Sequence, residues 1–179
     1  MKKIFFILII GVVITACTNI SEEENAVDQT FPDHESWNST IYLTKNGLKN
    51  AIIIAGHLTK YNDSQVTTMD QGVDIDFFNA RGVKNSHMTS LKADVNEQTN
   101  NLVAQGNVVV VSDSSATLYT EELEWNNERE KIISRAEVTF ITNQDTLYGT
   151  GFESDANLEN WVMEKISGVT NRELDGQNE

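Results

Sequence analysis

The chain has 179 residues, with 27 acidic side chains against 13 basic ones, one proline and one cysteine. That length fits one domain, and so acidic a balance disfavours nucleic-acid binding, which rests on Lys and Arg neutralising phosphates. A lone Cys closes no intramolecular disulfide, and the well-separated His34, His57 and His87 supply no clustered ligands, so neither a disulfide, a metal nor a cofactor is expected.

In chain order, Met1-Lys2-Lys3 is a basic start, Ile4 to Ile14 is an almost wholly apolar run of eleven, and Thr15-Ala16 lead into Cys17. This is a secretory signal pattern. A membrane span needs about 20 apolar residues, so residues 1–16 are expected to be cut off rather than kept. The run Ile14-Thr15-Ala16-Cys17 resembles a bacterial lipobox, in which a diacylglycerol thioether forms on the cysteine and cleavage makes it the new N-terminus. Cys17 is therefore the expected lipid-attachment residue, anchoring the protein without a transmembrane helix, since each buried methylene contributes about 0.8 kcal/mol. Loss of Lys2 and Lys3 leaves 11 basic residues against 27 acidic ones.

Residues 17–30 hold the acylated cysteine and a polar, acidic stretch too poor in apolar side chains to offset its ordering entropy, as expected of a flexible linker. A folded domain is expected over 31–170, and 171–179 read as a polar tail. Within the domain, Ile52-x-Ile54-x-Gly56-x-Leu58 alternates as a half-buried strand does. So does Leu102-x-Ala104-x-Gly106-x-Val108-x-Val110. Asp113-Ser114-Ser115 supplies a turn, Leu118 to Trp125 a second extended segment, and Asn126-Asn127 another turn. Ile132-x-Ser134-x-Ala136-x-Val138-x-Phe140 then repeats the alternation thirty residues on, and Met163-x-Lys165-x-Ser167-x-Val169 is a weaker copy.

The segments between match as well: Leu118 is followed at plus five by Leu123, and Leu147 at plus five by Phe152. A recurring pair of strands, each too small to bury its own apolar face, implies stacked units. The expected fold is all-β, a rolled antiparallel sheet of repeated strand pairs open at its edges, with a β-sandwich as the alternative. Gly or Ala at the recurring small position permits the bend that a crease requires.

The words Gly47-Leu48-Lys49-Asn50-Ala51, Gly72-Val73-Asp74-Ile75-Asp76-Phe77-Phe78-Asn79, Ala104-Gln105-Gly106-Asn107-Val108, Leu118-Tyr119-Thr120-Glu121-Glu122-Leu123-Glu124-Trp125 and Gly149-Thr150-Gly151-Phe152-Glu153-Ser154-Asp155 strongly resemble LptC, in the form seen in Bacteroidota. That family supplies the periplasmic component of the lipopolysaccharide-export ABC transporter. The resemblance implies a β-jellyroll that accepts lipopolysaccharide from the inner-membrane transporter and hands it to a like-folded, LptA-like bridge protein. The best-known members keep an uncleaved N-terminal helix, whereas this chain carries a lipobox.

An acidic protein is a poor partner for lipid A phosphates, so recognition is expected from an apolar groove around the acyl chains. The candidate lining is Ile52, Ile54, Leu102, Val108, Val110, Ile132, Val138 and Phe140, with Lys49, Lys60 and Arg81 as candidate rim cations. The end strand around Trp161 to Val169 is the candidate edge for strand addition to the next bridge protein, with Val169 as its marker. Asp74 and Asp76 share one strand face, the pattern of two outward carboxylates, and no nucleophile elbow, zinc helix or phosphate loop occurs, so catalysis is not indicated. The expected location is the periplasm, lipid-anchored at the inner membrane. The Ser21-Glu22-Glu23-Glu24 run leaves open an alternative, a surface-exposed lipoprotein that binds glycan or partner proteins.

Overall fold

A computed structural model describes residues 31–170; the expected signal segment, Cys17, the expected linker and the expected C-terminal tail lie outside the described residues. Eleven strands follow one another: β1 His34–Lys45, β2 Leu48–Tyr61, β3 Val66–Phe78, β4 Lys84–Ser90, β5 Lys92–Asn96, β6 Leu102–Ser112, β7 Thr117–Asn126, β8 Lys131–Ser134, β9 Val138–Ile141, β10 Asp145–Asp155 and β11 Trp161–Thr170. All pairings are antiparallel and belong to one sheet that runs from the edge strand β1 to the edge strand β11. The sheet meanders, successive rungs pairing antiparallel, so the register follows from short turns. Asn46 and Gly47 both have positive φ, 52° and 78°, the two-residue Asn-Gly hairpin whose twist matches that of its strands.

The long strands are folded rungs. β4 and β5 are two halves of one rung broken at Leu91, both lying between β3 and β6. β8 and β9 likewise flank a break at 135–137 and lie between β7 and β10. The single strand expected over 132–140 is thus two. Unbroken rungs carry a register shift at the same level, at Gly56 in β2, at Gly106 and Asn107 in β6, and between Tyr148 and Glu153 in β10. These bends line up as a crease that divides the sheet into two walls. At Gly56 a Cβ would stand 2.4 Å from the Gln71 carbonyl oxygen, and Gly106 has φ +78 with Leu91 packed against it. Both crease glycines are therefore fixed by sterics.

The walls face each other over one apolar core that contains Phe140, Phe152, Leu118, Leu123, Ile132, Val108 and Val110. Phe140 on one wall meets Phe152 and Trp161 on the other with ring centroids 5.2 and 5.1 Å apart. Each such side chain contributes on the order of 1.5–3 kcal/mol by leaving water. Hydroxyls occur where the walls bend: Thr120 Oγ1 and Ser134 Oγ are 2.9 Å apart, and Thr120 donates to the Glu137 carbonyl at 3.0 Å.

The expected inward phase of β2 is corrected. Ala51, Ile53 and Ala55 are buried, whereas Ile54 is 50 % exposed and Ile52 shares its outward face. The register shift between Ala55 and His57 inverts the alternation at Gly56, so Leu58, on the inward side beyond the bend, belongs to a different phase from Ile54. In β6 the bend spans Gly106 and Asn107, two residues, and the phase of Leu102 carries through to Val108 and Val110.

Candidate functional site

Opposite the crease the two walls end in turns that approach each other, and this rim is the open side of the roll. A cavity of about 160 Å³ lies just inside it. Its floor is Ala51, Ile53, Ile75 and Phe77 from one wall, and Val95, Leu102 and Trp125 from the other. The rings of Phe77 and Trp125 meet across the gap with centroids 5.4 Å apart. Few polar contacts close the rim: Lys45 pairs with Glu130, and Ser114 Oγ donates to the Asn157 carbonyl at 3.5 Å. The first is an exposed ion pair, a type worth about 0–1 kcal/mol.

Of the residues expected to line a groove, Leu102 borders this cavity. Val108, Val110, Ile132, Val138 and Phe140 point between the walls and are fully packed, at most 3 % exposed. Ile52 and Ile54 lie on the outer face of β2 and reach neither. Val169 is 65 % exposed on the edge strand β11, which among the described residues pairs with β10 alone. Alternation pointed past Phe77 and Trp125, although the signal was present: Asp74 and Asp76 facing outward put Val73, Ile75 and Phe77 inward, and Leu123 fixes the phase of Trp125. Lys49 is at the rim beside Phe78, its Nζ 4.3 Å from the ring centroid. Lys60 instead binds Glu97 at 2.7 Å on the outer surface.

The outer face is electrostatically ordered. His57 on β2 bridges Glu35 of β1 at 3.0 Å and Asp70 of β3 at 2.9 Å, with the Trp37 ring 5.2 Å from its own. The hydrogen bonds to Glu35 and Asp70 raise the His57 pKa above its ordinary value, against a smaller opposing effect of burial. His87 sits in the same way between Asp74 at 3.2 Å and Asp76 at 2.8 Å. Burial pushes the Asp76 carboxyl up, but hydrogen bonds from Lys84 and His87 outweigh it and hold the group below its usual value. The two carboxylates noted in the sequence are therefore partners of His87 on an outer surface. A larger concavity, about 630 Å³, lies outside, along the crease, bordered by Asn107, Tyr119, Glu121, Tyr148 and Lys165. Among the described residues no cluster of His, Cys, Asp and Glu is arranged to hold a metal ion, and no helix is long and apolar enough to cross a membrane.

Fold and cavity together define a class: an antiparallel β-jellyroll with an apolar interior, ending, among the described residues, in an edge strand on either side. Within that class, the family described as "Lipopolysaccharide-assembly, LptC-related" matches residues 4–171. The chain belongs to this family, and its role lies in lipopolysaccharide transport. No curated protein matches the chain.

Proposed function

We propose that the protein is a non-enzymatic carrier, held at the periplasmic face of the inner membrane by acylated Cys17, that takes lipopolysaccharide from the export ABC transporter and passes it to a like-folded bridge protein. The observation that carries this reading is the rim. It opens straight onto apolar side chains from both walls and is closed mainly by the Lys45–Glu130 pair and the Phe77–Trp125 contact. A dry cavity of roughly 150 Å³ holds a molecule the size of benzene. The closed space of about 160 Å³ is thus too small for several acyl chains, and loading requires the rim to part. Opening exposes a floor already apolar, at about 25 cal/mol per Å² of area that acyl chains then cover. The outer edges of β1 and β11, unpaired among the described residues, supply backbone groups for strand addition on either side.

The test is photocrosslinking in cells from Leu43 and Val95, half-buried beside the cavity, with outward Ile54 as control. Lipopolysaccharide adducts at Leu43 and Val95 that depend on ATP hydrolysis by the transporter are expected. Their absence, or equal labelling at Ile54, overturns the reading. A surface lipoprotein that binds glycan is the second reading, favoured by the outer concavity between Tyr119 and Tyr148; cleavage of the domain by external protease in intact cells is the result that would support it.

A further inference from the structure

Beside the apolar cavity, on the outer side of the same rim, lies a cleft of about 460 Å³. Lys45, Asn50 and Trp125 border both spaces, so the cleft is the polar vestibule of the apolar cavity. Its own lining is rich in amides, contributed by Asn46, Asn79, Asn85 and Asn157 from four different turns and strand ends. An amide offers both a donor and an acceptor, which suits the mixed hydrogen bonding of sugar hydroxyls. The Asn85 Oδ1 is buried and has no hydrogen-bond partner, a costly condition for a polar atom unless something else satisfies it.

The charges of the cleft are unequally committed. Its carboxylates are engaged: Glu130 by Lys45, and Asp155 by the Asn160 side chain at 2.6 Å and the backbone N–H groups of Glu159 and Asn160 at 3.0 and 3.2 Å. Lys49 forms no ion pair among the described residues. Its ammonium rests on the Phe78 ring, leaving donors for an anion at the cleft's edge. In a chain of net charge −14, an uncommitted cation beside an amide-lined cleft and an apolar cavity suits an amphiphile whose sugar head carries phosphate.

We propose that this rim cleft is a head-group site for a phosphorylated glycolipid, with the sugar against the asparagine amides, a phosphate at Lys49 and an acyl chain entering past Trp125. The inference rests on the carrier reading above and adds to it a specific seat for the head. Acyl burial alone would hold any lipid, whereas this cleft discriminates by phosphate and sugar.

The experiment uses the full-length protein in detergent and three probes: bisphosphorylated lipid A, its fully dephosphorylated form, and a fatty acid. Lys49→Gln is expected to weaken bisphosphorylated lipid A about tenfold, as loss of one charge-assisted hydrogen bond does, and to leave the other two probes unchanged. Asn85→Ala is expected to weaken both glycolipids and spare the fatty acid. Melting curves that coincide with wild type confirm that both variants are folded. Unchanged lipid A affinity in both folded variants overturns the head-group site while leaving the carrier reading intact. A wild-type protein that binds none of the three probes overturns the carrier reading, and the site with it.

Discussion

Phe77 and Trp125 face each other from opposite walls across the open side of the roll, their ring centroids 5.4 Å apart and inclined by 44°. Among the described residues no strand pairing joins the walls there, so this contact supplies much of the cohesion at the rim. Trp125→Ala should cost about 3–5 kcal/mol, the range for loss of a large buried aromatic. It should also enlarge the cavity, so that an apolar dye binds the variant more tightly than wild type. Denaturant titration measures the first effect and dye fluorescence the second; a stability change below 1 kcal/mol would assign cohesion of the rim elsewhere.

Lys45 and Glu130 close the rim more weakly. Lys45→Glu places like charges together and should cost under about 1 kcal/mol, because the pair is exposed. Its larger consequence should be kinetic, with faster lipid uptake in stopped-flow fluorescence. Adding Glu130→Lys to that variant restores an opposite pair in reverse, and the wild-type rate should return. A rate that stays high in the reversed pair would show that Lys45 acts through something other than charge.

At the crease, Gly56→Ala is expected to destabilise by about 1–3 kcal/mol, because the new Cβ would lie 2.4 Å from a backbone oxygen of β3. Denaturant midpoints decide the matter. A neutral result would mean that β2 and β3 separate at Gln71 without loss.

The pH dependence of β1 follows from His57. Its folded pKa is raised above the ordinary histidine value by Glu35 and Asp70, so the stability it confers is fully present below about pH 6.5 and is lost as pH rises through the folded value. The difference in Tm between wild type and His57→Gln should therefore shrink as pH rises from 6 toward 8. A difference that stays constant across that range would remove the charged bridge from the account of how β1 is held.

Val169→Asp on the free edge β11 should leave Tm within about 2 °C of wild type, since its side chain is 65 % exposed and surface changes usually stay within about 0.5 kcal/mol. Capture of the bridge protein by the variant should fall at least tenfold in a pull-down. A collapse of Tm would instead make β11 a structural element rather than a docking edge.

Much of this architecture was legible because alternation has a period of two and a buried wall enforces it. Leu102, Val108, Ile132, Val138 and Phe140 were placed inward by that pattern and are inward. It failed at Ile52 and Ile54, where five successive apolar residues, Ala51 to Ala55, suit either phase and the bend at Gly56 inverts the pattern beyond it. The cavity and the rim cleft were less legible still. Phe77 and Trp125, or Lys49 and Asn157, come together through the folding of one wall over the other, and strand periodicity carries no information about which turns then meet. The family words contained several of these residues without assigning them a place.

The crease also has an architectural consequence. Because every rung crosses both walls and bends at the same level, the roll behaves like an extruded profile, whose cross-section is independent of its length. One more strand pair would lengthen the roll by roughly 10 Å at 4.8 Å per strand and keep the direction of the final edge. Duplication of a thirty-residue unit is therefore a route by which such a protein adjusts its reach without redesigning its cross-section.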